Sequence, residues 1–177
     1  SFLPTTLTSS YEQLLAVTEN IGARYQEASG AKIRGLYFEG PYFTEKYKGA
    51  QNPAYMKDPR MDEFRAWQKA SNGLLNKIAL APEREGVEEF VRTITDEGVT
   101  VALGHSNATY DEAKTAVEAG ASVWVHAYNG MRGLTHRELG MVGAMYELPH
   151  TYAELICDGH HVDPKACDIL LKQKGHE

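Results

Sequence analysis

Apolar positions divide the chain into short runs of period two and longer segments of period 3.6, in strict alternation. The clearest unit spans Val99 to His126, VTVALGHSNATYDEAKTAVEAGASVWVH. Val99, Val101 and Leu103 alternate as in a strand. Thr109 and Glu112 have the spacing of a capping box, and the helix they open carries Ala113, Ala116 and Val117 on one face. Gly120 closes that helix, and Ser122 to Val125 forms the next strand. A crossover of this length joins parallel strands, so His105 and His126 sit at strand carboxyl ends. That is the edge on which α/β barrels and open α/β sheets place their chemistry.

The same rhythm runs through the rest of the chain. A strand is expected at Phe2-Leu3-Pro4, then a helix opened by a second capping box, Ser10 and Gln13, with Leu14, Val17, Ile21 and Tyr25 at helical spacing. Ile33 to Phe38 reads as a strand ended by Glu39-Gly40-Pro41, and the segment from Tyr42 to Pro59 as a long polar loop. Phe64 and Trp67 mark a short helix, Lys77 to Leu80 a strand, and Val87, Phe90, Val91 and Ile94 a helix stopped by Gly98. A second long loop is expected over Ala127 to Gly143, then a strand from Tyr152 to Cys157, and a last helix begun by Asp163 and Pro164. Loops of such length in compact domains are usually functional or disordered.

Six strands in this pattern predict an α/β fold. A complete (β/α)₈ barrel takes about 250 residues, so 177 residues hold about six of its eight βα units, a partial TIM barrel. A flavodoxin-like open sheet is the alternative, but such sheets have short loops. The two long loops here follow strands ended by Glu39 and His126.

Composition narrows the function. The 42% hydrophobic and 24% charged residues are those of a soluble globular protein, and the net charge of −6 argues against nucleic-acid binding, which needs a basic face. No apolar run approaches the ~20 residues of a membrane span, and the start lacks a signal peptide's pattern. The expected setting is the cytoplasm, without a membrane or nucleic-acid partner. Cys157 and Cys167 lack zinc-ribbon or CxxC spacing and read as reduced thiols. Glu39, His105 and His126 converge on one rim if the sheet is a closed parallel one, and two imidazoles with one carboxylate are a catalytic metal set that leaves a position open for water.

Six ordered motifs carry a resemblance: GLYFEGP at 35–41, KGAQNP at 48–53, GHSNA at 104–108, HAYNGM at 126–131, RELG at 137–140 and DGHHVD at 158–163. Together they resemble the N-acetylglucosamine-6-phosphate deacetylases, metal-dependent TIM barrels of the amidohydrolase superfamily. The resemblance implies hydrolysis of the acetamide of N-acetylglucosamine 6-phosphate to glucosamine 6-phosphate and acetate by a metal-activated water. It implies Glu39, His105 and His126 as ligands of a divalent ion, zinc or iron, and a homo-oligomer at full length. Asn129, Gly130 and Arg137 match positions that bind the sugar phosphate, His161 matches another substrate-binding position, and Ala50 matches one that contacts the sugar. Many family members carry a histidine where this chain has Gln51, whose amide NH₂ can still donate to a developing oxyanion. The family's catalytic aspartate falls beyond Glu177, and its first barrel strand and small β domain are also outside the resemblance. Residues 1–177 therefore read as a fragment of the barrel domain, inactive alone. The rival readings are a metal- or sugar-phosphate-binding module without turnover, and another amidohydrolase.

Overall fold

The computed structural model describes residues 1–175. Six strands alternate with six helices: β1 (Thr5–Thr6), α1 (Tyr11–Arg24), β2 (Leu36–Glu39), α2 (Met61–Ala70), β3 (Leu75–Leu80), α3 (Val87–Asp96), β4 (Thr100–Leu103), α4 (Tyr110–Glu118), β5 (Val123–Trp124), α5 (Gly140–Glu147), β6 (Tyr152–Ala153) and α6 (Pro164–Lys174). All neighbouring strands are parallel and lie in the order β1-β2-β3-β4-β5-β6. A doubly wound sheet reverses its order at a switch point. A sheet that never reverses is an arc of a (β/α)₈ barrel, here six consecutive units.

Strand alternation separates two cores. Leu36, Phe38, Ile78, Leu80, Val101, Leu103 and Trp124 face the helices and pack, fully buried, against Phe64, Trp67, Phe90 and Ile94. Tyr37, Ala79, Ala102 and Val125 face the other way and form a smaller cluster with Phe43. That second face is the barrel lumen. Lys77 of β3 stacks 4.3 Å over the Tyr37 ring and pairs with Glu154, just past β6, so the sheet curves enough for side chains three strands apart to meet. Glu39 shares the parity of Tyr37 and projects into this lumen.

The local signals hold with instructive exceptions. Thr109 and Glu112 form both bonds of the capping box. Ser10 accepts from the Gln13 N–H at 3.3 Å, but the Gln13 side chain pairs with Ser9 instead of closing the box. The first strand lies at Thr5–Thr6 and Phe2 makes a single bridge to Ile33, because Pro4 offers its carbonyl to Tyr37 yet has no N–H with which to continue a ladder. The second strand accordingly begins at Leu36, with a register shift between Leu36 and Tyr37. β6 ends at Ala153 because β5, the strand it pairs with, is itself two residues long.

Both long loops contain more structure than expected. The segment from Tyr42 to Pro59 begins with fully buried Tyr42 and Phe43 and contains two 3₁₀ turns, Glu45–Tyr47 and Pro53–Tyr55. The expected loop from Ala127 to Gly143 stops at Gly140, where α5 starts. Helix α5 is glycine-bearing for steric reasons: a Cβ at Gly140 would lie 2.7 Å from the Gly133 carbonyl oxygen, and its φ is +56°. Cys157 and Cys167 are free thiols, as expected.

Candidate metal centre

Three consecutive features place the ligand candidates. Glu39 is the last residue of β2, His105 follows β4 by two residues, and His126 follows β5 by two. Both histidines turn at positive φ, +45° for His105 and +32° for His126, a conformation that costs a residue with a Cβ and that the surrounding bonds must hold. Those bonds are visible. The Thr44 N–H donates to the His105 carbonyl at 3.0 Å, and the Asn129 N–H donates to the His126 carbonyl at 3.0 Å.

The two rings are also fixed in tautomer. His105 Nδ1 lies 2.9 Å from the Tyr47 carbonyl oxygen and His126 Nδ1 lies 3.0 Å from that of Asn129. A carbonyl can only accept, so each Nδ1 carries a proton and each neutral ring turns the Nε2 lone pair inward. The two Nε2 atoms are 3.1 Å apart, and Glu39 Oε1 is 3.1 Å from one and 3.3 Å from the other. Three electron-pair donors at such separations repel unless a positive charge lies among them. Protons can meet the same demand in place of an ion: burial would raise the pKa of the half-buried Glu39 carboxyl, but hydrogen bonds and charge from His105 and His126, when these rings are protonated at Nε2, outweigh it and take it down to about 2. Burial likewise opposes charging His126, and Glu39 more than offsets this, leaving its pKa raised. The donor set thus fits a divalent cation of borderline softness, and no other such cluster occurs among the described residues.

The walls come from neighbouring loops. Phe43 lies against the His105 ring at 4.5 Å between centroids, which keeps the ring from solvent on that side. Gly130, at φ +62°, runs beneath the same ring, and a Cβ there would come within 3.1 Å of His105 Nδ1 and 3.2 Å of the Tyr47 carbonyl oxygen. Ala50 is exposed on the β2 loop, next to Gly49, whose own Cβ position faces the His105 ring at 3.4 Å. Gln51 is buried, and its side-chain oxygen accepts from the Thr8 N–H at 2.6 Å, which directs its NH₂ group elsewhere.

Asn129 and Gly130 therefore border the Glu39–His105–His126 cluster, and Ala50 and Gln51 follow Gly49, the residue of the β2 loop that faces the His105 ring. Arg137 and His161 are not brought to the cluster. Arg137 is exposed and forms no ion pair among the described residues. His161 is exposed and its Nδ1–H donates at 2.7 Å to the carboxylate of Asp158, three residues earlier. Asp158 also accepts the His160 and His161 N–H groups, and these bonds, that of His161 foremost, hold its carboxyl down at about 2. Tyr47 was not visible as a site residue in the sequence, because it acts through its backbone carbonyl, which no side-chain pattern signals.

No protein-family profile matches the chain. An N-acetylglucosamine-6-phosphate deacetylase of Vibrio furnissii is 43% identical over 170 residues, covering 96% of this chain and 43% of the relative. An N-acetylgalactosamine-6-phosphate deacetylase of Escherichia coli O157:H7 is also 43% identical over 170 residues, covering 96% of this chain and 45% of the relative. The crystal structure of N-acetyl-D-glucosamine-6-phosphate deacetylase from Mycobacterium smegmatis superimposes with a TM-score of 0.92 at 31% identity, over 98% of this chain and 45% of that one. The chain spans less than half the length of these relatives. In sequence and in fold it is homologous to the corresponding part of the N-acetylglucosamine-6-phosphate deacetylases.

Proposed function

We propose that this chain is the metal-binding arc of a longer barrel that hydrolyses the acetamide of an N-acetylhexosamine 6-phosphate, releasing acetate and the amino sugar phosphate. The observation that carries the reading is the convergence of Glu39 Oε1 with the Nε2 atoms of His105 and His126 within 3.3 Å at the carboxyl rim of the sheet. A divalent ion held there, zinc or iron, would supply Lewis acidity that acidifies water and polarises an acyl oxygen.

The remaining roles belong to the chain's own groups. Thr8 fixes the oxygen of the Gln51 amide, so the NH₂ is the group left to donate to the acetamide oxygen. Asn129 and Gly130 border the cluster, Ala50 is exposed on the β2 loop beside Gly49, and all three suit contact with the sugar. Arg137 supplies the cationic fork and His161 a further ring donor for a phosphate dianion in a chain of net charge −6. The setting we infer is cytoplasmic, with the full-length protein a homo-oligomer and its substrate a small molecule. No helix among the described residues is long and apolar enough to cross a membrane.

The epimer is a second question, because the identity to the glucosamine-type and galactosamine-type relatives is the same 43%. N-acetylglucosamine 6-phosphate is favoured because most named relatives act on it and a variant of the Mycobacterium smegmatis enzyme is known in complex with it. Acetate release by the full-length, metal-loaded protein from each epimer tests both points. Release from neither would overturn the deacetylase reading, and faster release from the galacto epimer would reassign the sugar.

A further inference from the structure

Three loops that carry or flank the ligand candidates meet at one carboxylate outside the cluster. Glu83 stands just beyond β3, in Ala81-Pro82-Glu83, and its two oxygens take three donors. Oε1 accepts from the Thr44 hydroxyl at 2.6 Å and from the Asn107 N–H at 2.6 Å, and Oε2 accepts from the Ser106 hydroxyl at 2.7 Å. Each donor leads to the cluster by a short route. Thr44 donates its N–H to the His105 carbonyl, and Ser106 and Asn107 directly follow His105. Fully buried Ser106 also donates its N–H to the Gly130 carbonyl and accepts the Arg132 N–H, which ties the same point to the β5 loop that carries His126.

We propose that Glu83 is a positioning residue for the metal centre, holding His105 in its strained backbone conformation by clamping the β2 and β4 loops together from the end of β3. The inference rests on the reading that Glu39, His105 and His126 bind a divalent ion. The physical case is the charge. A carboxylate is an acceptor only, and all three groups aimed at Glu83 are donors, so an ionised side chain satisfies every one of them with charge-assisted bonds. Without it, two hydroxyls and an N–H lose their shared partner at the residues that set the His105 backbone. Groups that orient metal ligands from behind typically change metal affinity 10- to 100-fold when removed.

The experiment measures binding of Zn²⁺ and Co²⁺, each alone, to the full-length protein by competition with a chromophoric chelator. The visible ligand-field spectrum of the Co²⁺ form and the thermal midpoint of the metal-free form are recorded alongside. Glu83→Ala is expected to weaken both metals about 10- to 100-fold and to change the Co²⁺ spectrum. Glu83→Gln keeps the shape and one oxygen for Thr44 and Asn107, and is expected to recover most of the affinity. A merely structural role would lower the thermal midpoint and leave the Co²⁺ spectrum as it was. Affinities within about threefold of the unsubstituted protein, far short of that typical loss, with an unchanged spectrum in both variants overturn the proposal. If Glu83→Ala does not fold, the Thr44→Val, Ser106→Ala double variant decides by the same criterion, since it removes two of the three donors and leaves Glu83 in place. His105→Ala is the control: if it too retains stoichiometric metal, the metal reading itself fails, whereas its loss of metal beside unaffected Glu83 variants refutes the clamp alone.

Discussion

Two imidazole Nε2 atoms 3.1 Å apart, on rings whose Nδ1 protons are each committed to a backbone carbonyl, define the chemistry available to this chain at the level of single residues. Replacing His105 or His126 by alanine should abolish stoichiometric metal content, which elemental analysis would read directly. Arg137 makes no ion pair among the described residues, so its charge is free for a ligand. In the full-length protein Arg137→Ala should lower kcat/KM for the 6-phosphorylated sugar about 10- to 100-fold, the value of a charge-assisted bond pair at about 1.5–3 kcal/mol, and barely change it for the unphosphorylated sugar. Equal loss on both would mean that Arg137 is structural. Asp158 gives a pH prediction of definite sign. Its carboxyl titrates at about 2 in the folded chain, below the ordinary value near 4, so the bonds to His160 and His161 favour folding above that ordinary value and are lost only as pH falls towards 2. A carboxyl NMR titration with a midpoint near 2 is expected, and one near 4 would show that the Asp158–His161 turn is not formed. The three ligand candidates were legible in the sequence because each stands at the end of an apolar run. Glu83 occupies the same kind of position, yet its three partners lie 23 to 39 residues away, and nothing local marks them.

At the scale of elements, the short apolar runs anticipated the strand–helix order because the central strands β2, β3 and β4 bury residues on both faces, against helices and in the lumen, whereas Thr5 of β1 and Tyr152 of β6 are exposed. What it missed follows from glycine and from pairing. Helix α5 carries Gly140 and Gly143, poor helix formers that close contacts require. The lengths of β1 and β6 depend on Pro4 and on a short neighbour, neither of which periodicity can sense. Helix α4 is the best-specified element. Thr109→Ala removes its capping hydroxyl, which accepts from Glu112, and should cost about 1 kcal/mol, a fall of roughly 2–4 °C in Tm for a chain of this size, with metal content unchanged. Trp67 is a harsher site. It is fully buried among Tyr11, Phe38 and Tyr42, and Trp67→Ala should cost about 3–5 kcal/mol in chemical denaturation.

For the molecule as a whole, the order β1 to β6 without reversal made the barrel arc recognisable, and the Lys77–Glu154 pair shows its curvature. Among the described residues no second carboxylate joins Glu39 and the two histidines. For the proposed reaction, a proton relay to the leaving amine, of the kind that contributes about 10²- to 10⁴-fold in general acid–base catalysis, therefore has no candidate inside the cluster. The isolated 177-residue polypeptide should bind metal yet release acetate at least about 10²-fold more slowly than the full-length protein. Turnover within a factor of about ten of the full-length protein, well short of that loss, would point to Asp158 as the next residue to substitute.

The unreversed strand order has a temporal meaning as well. Because each strand from β2 to β6 pairs with the one synthesised just before it, this arc of the sheet can grow at a single edge as the polypeptide leaves the ribosome. The ligand candidates then emerge as Glu39, His105 and His126, each on a strand already docked to its predecessor. The clamp at Glu83 is synthesised after the first and before the other two. A nascent chain would thus gain its complete donor set only once β5 has docked.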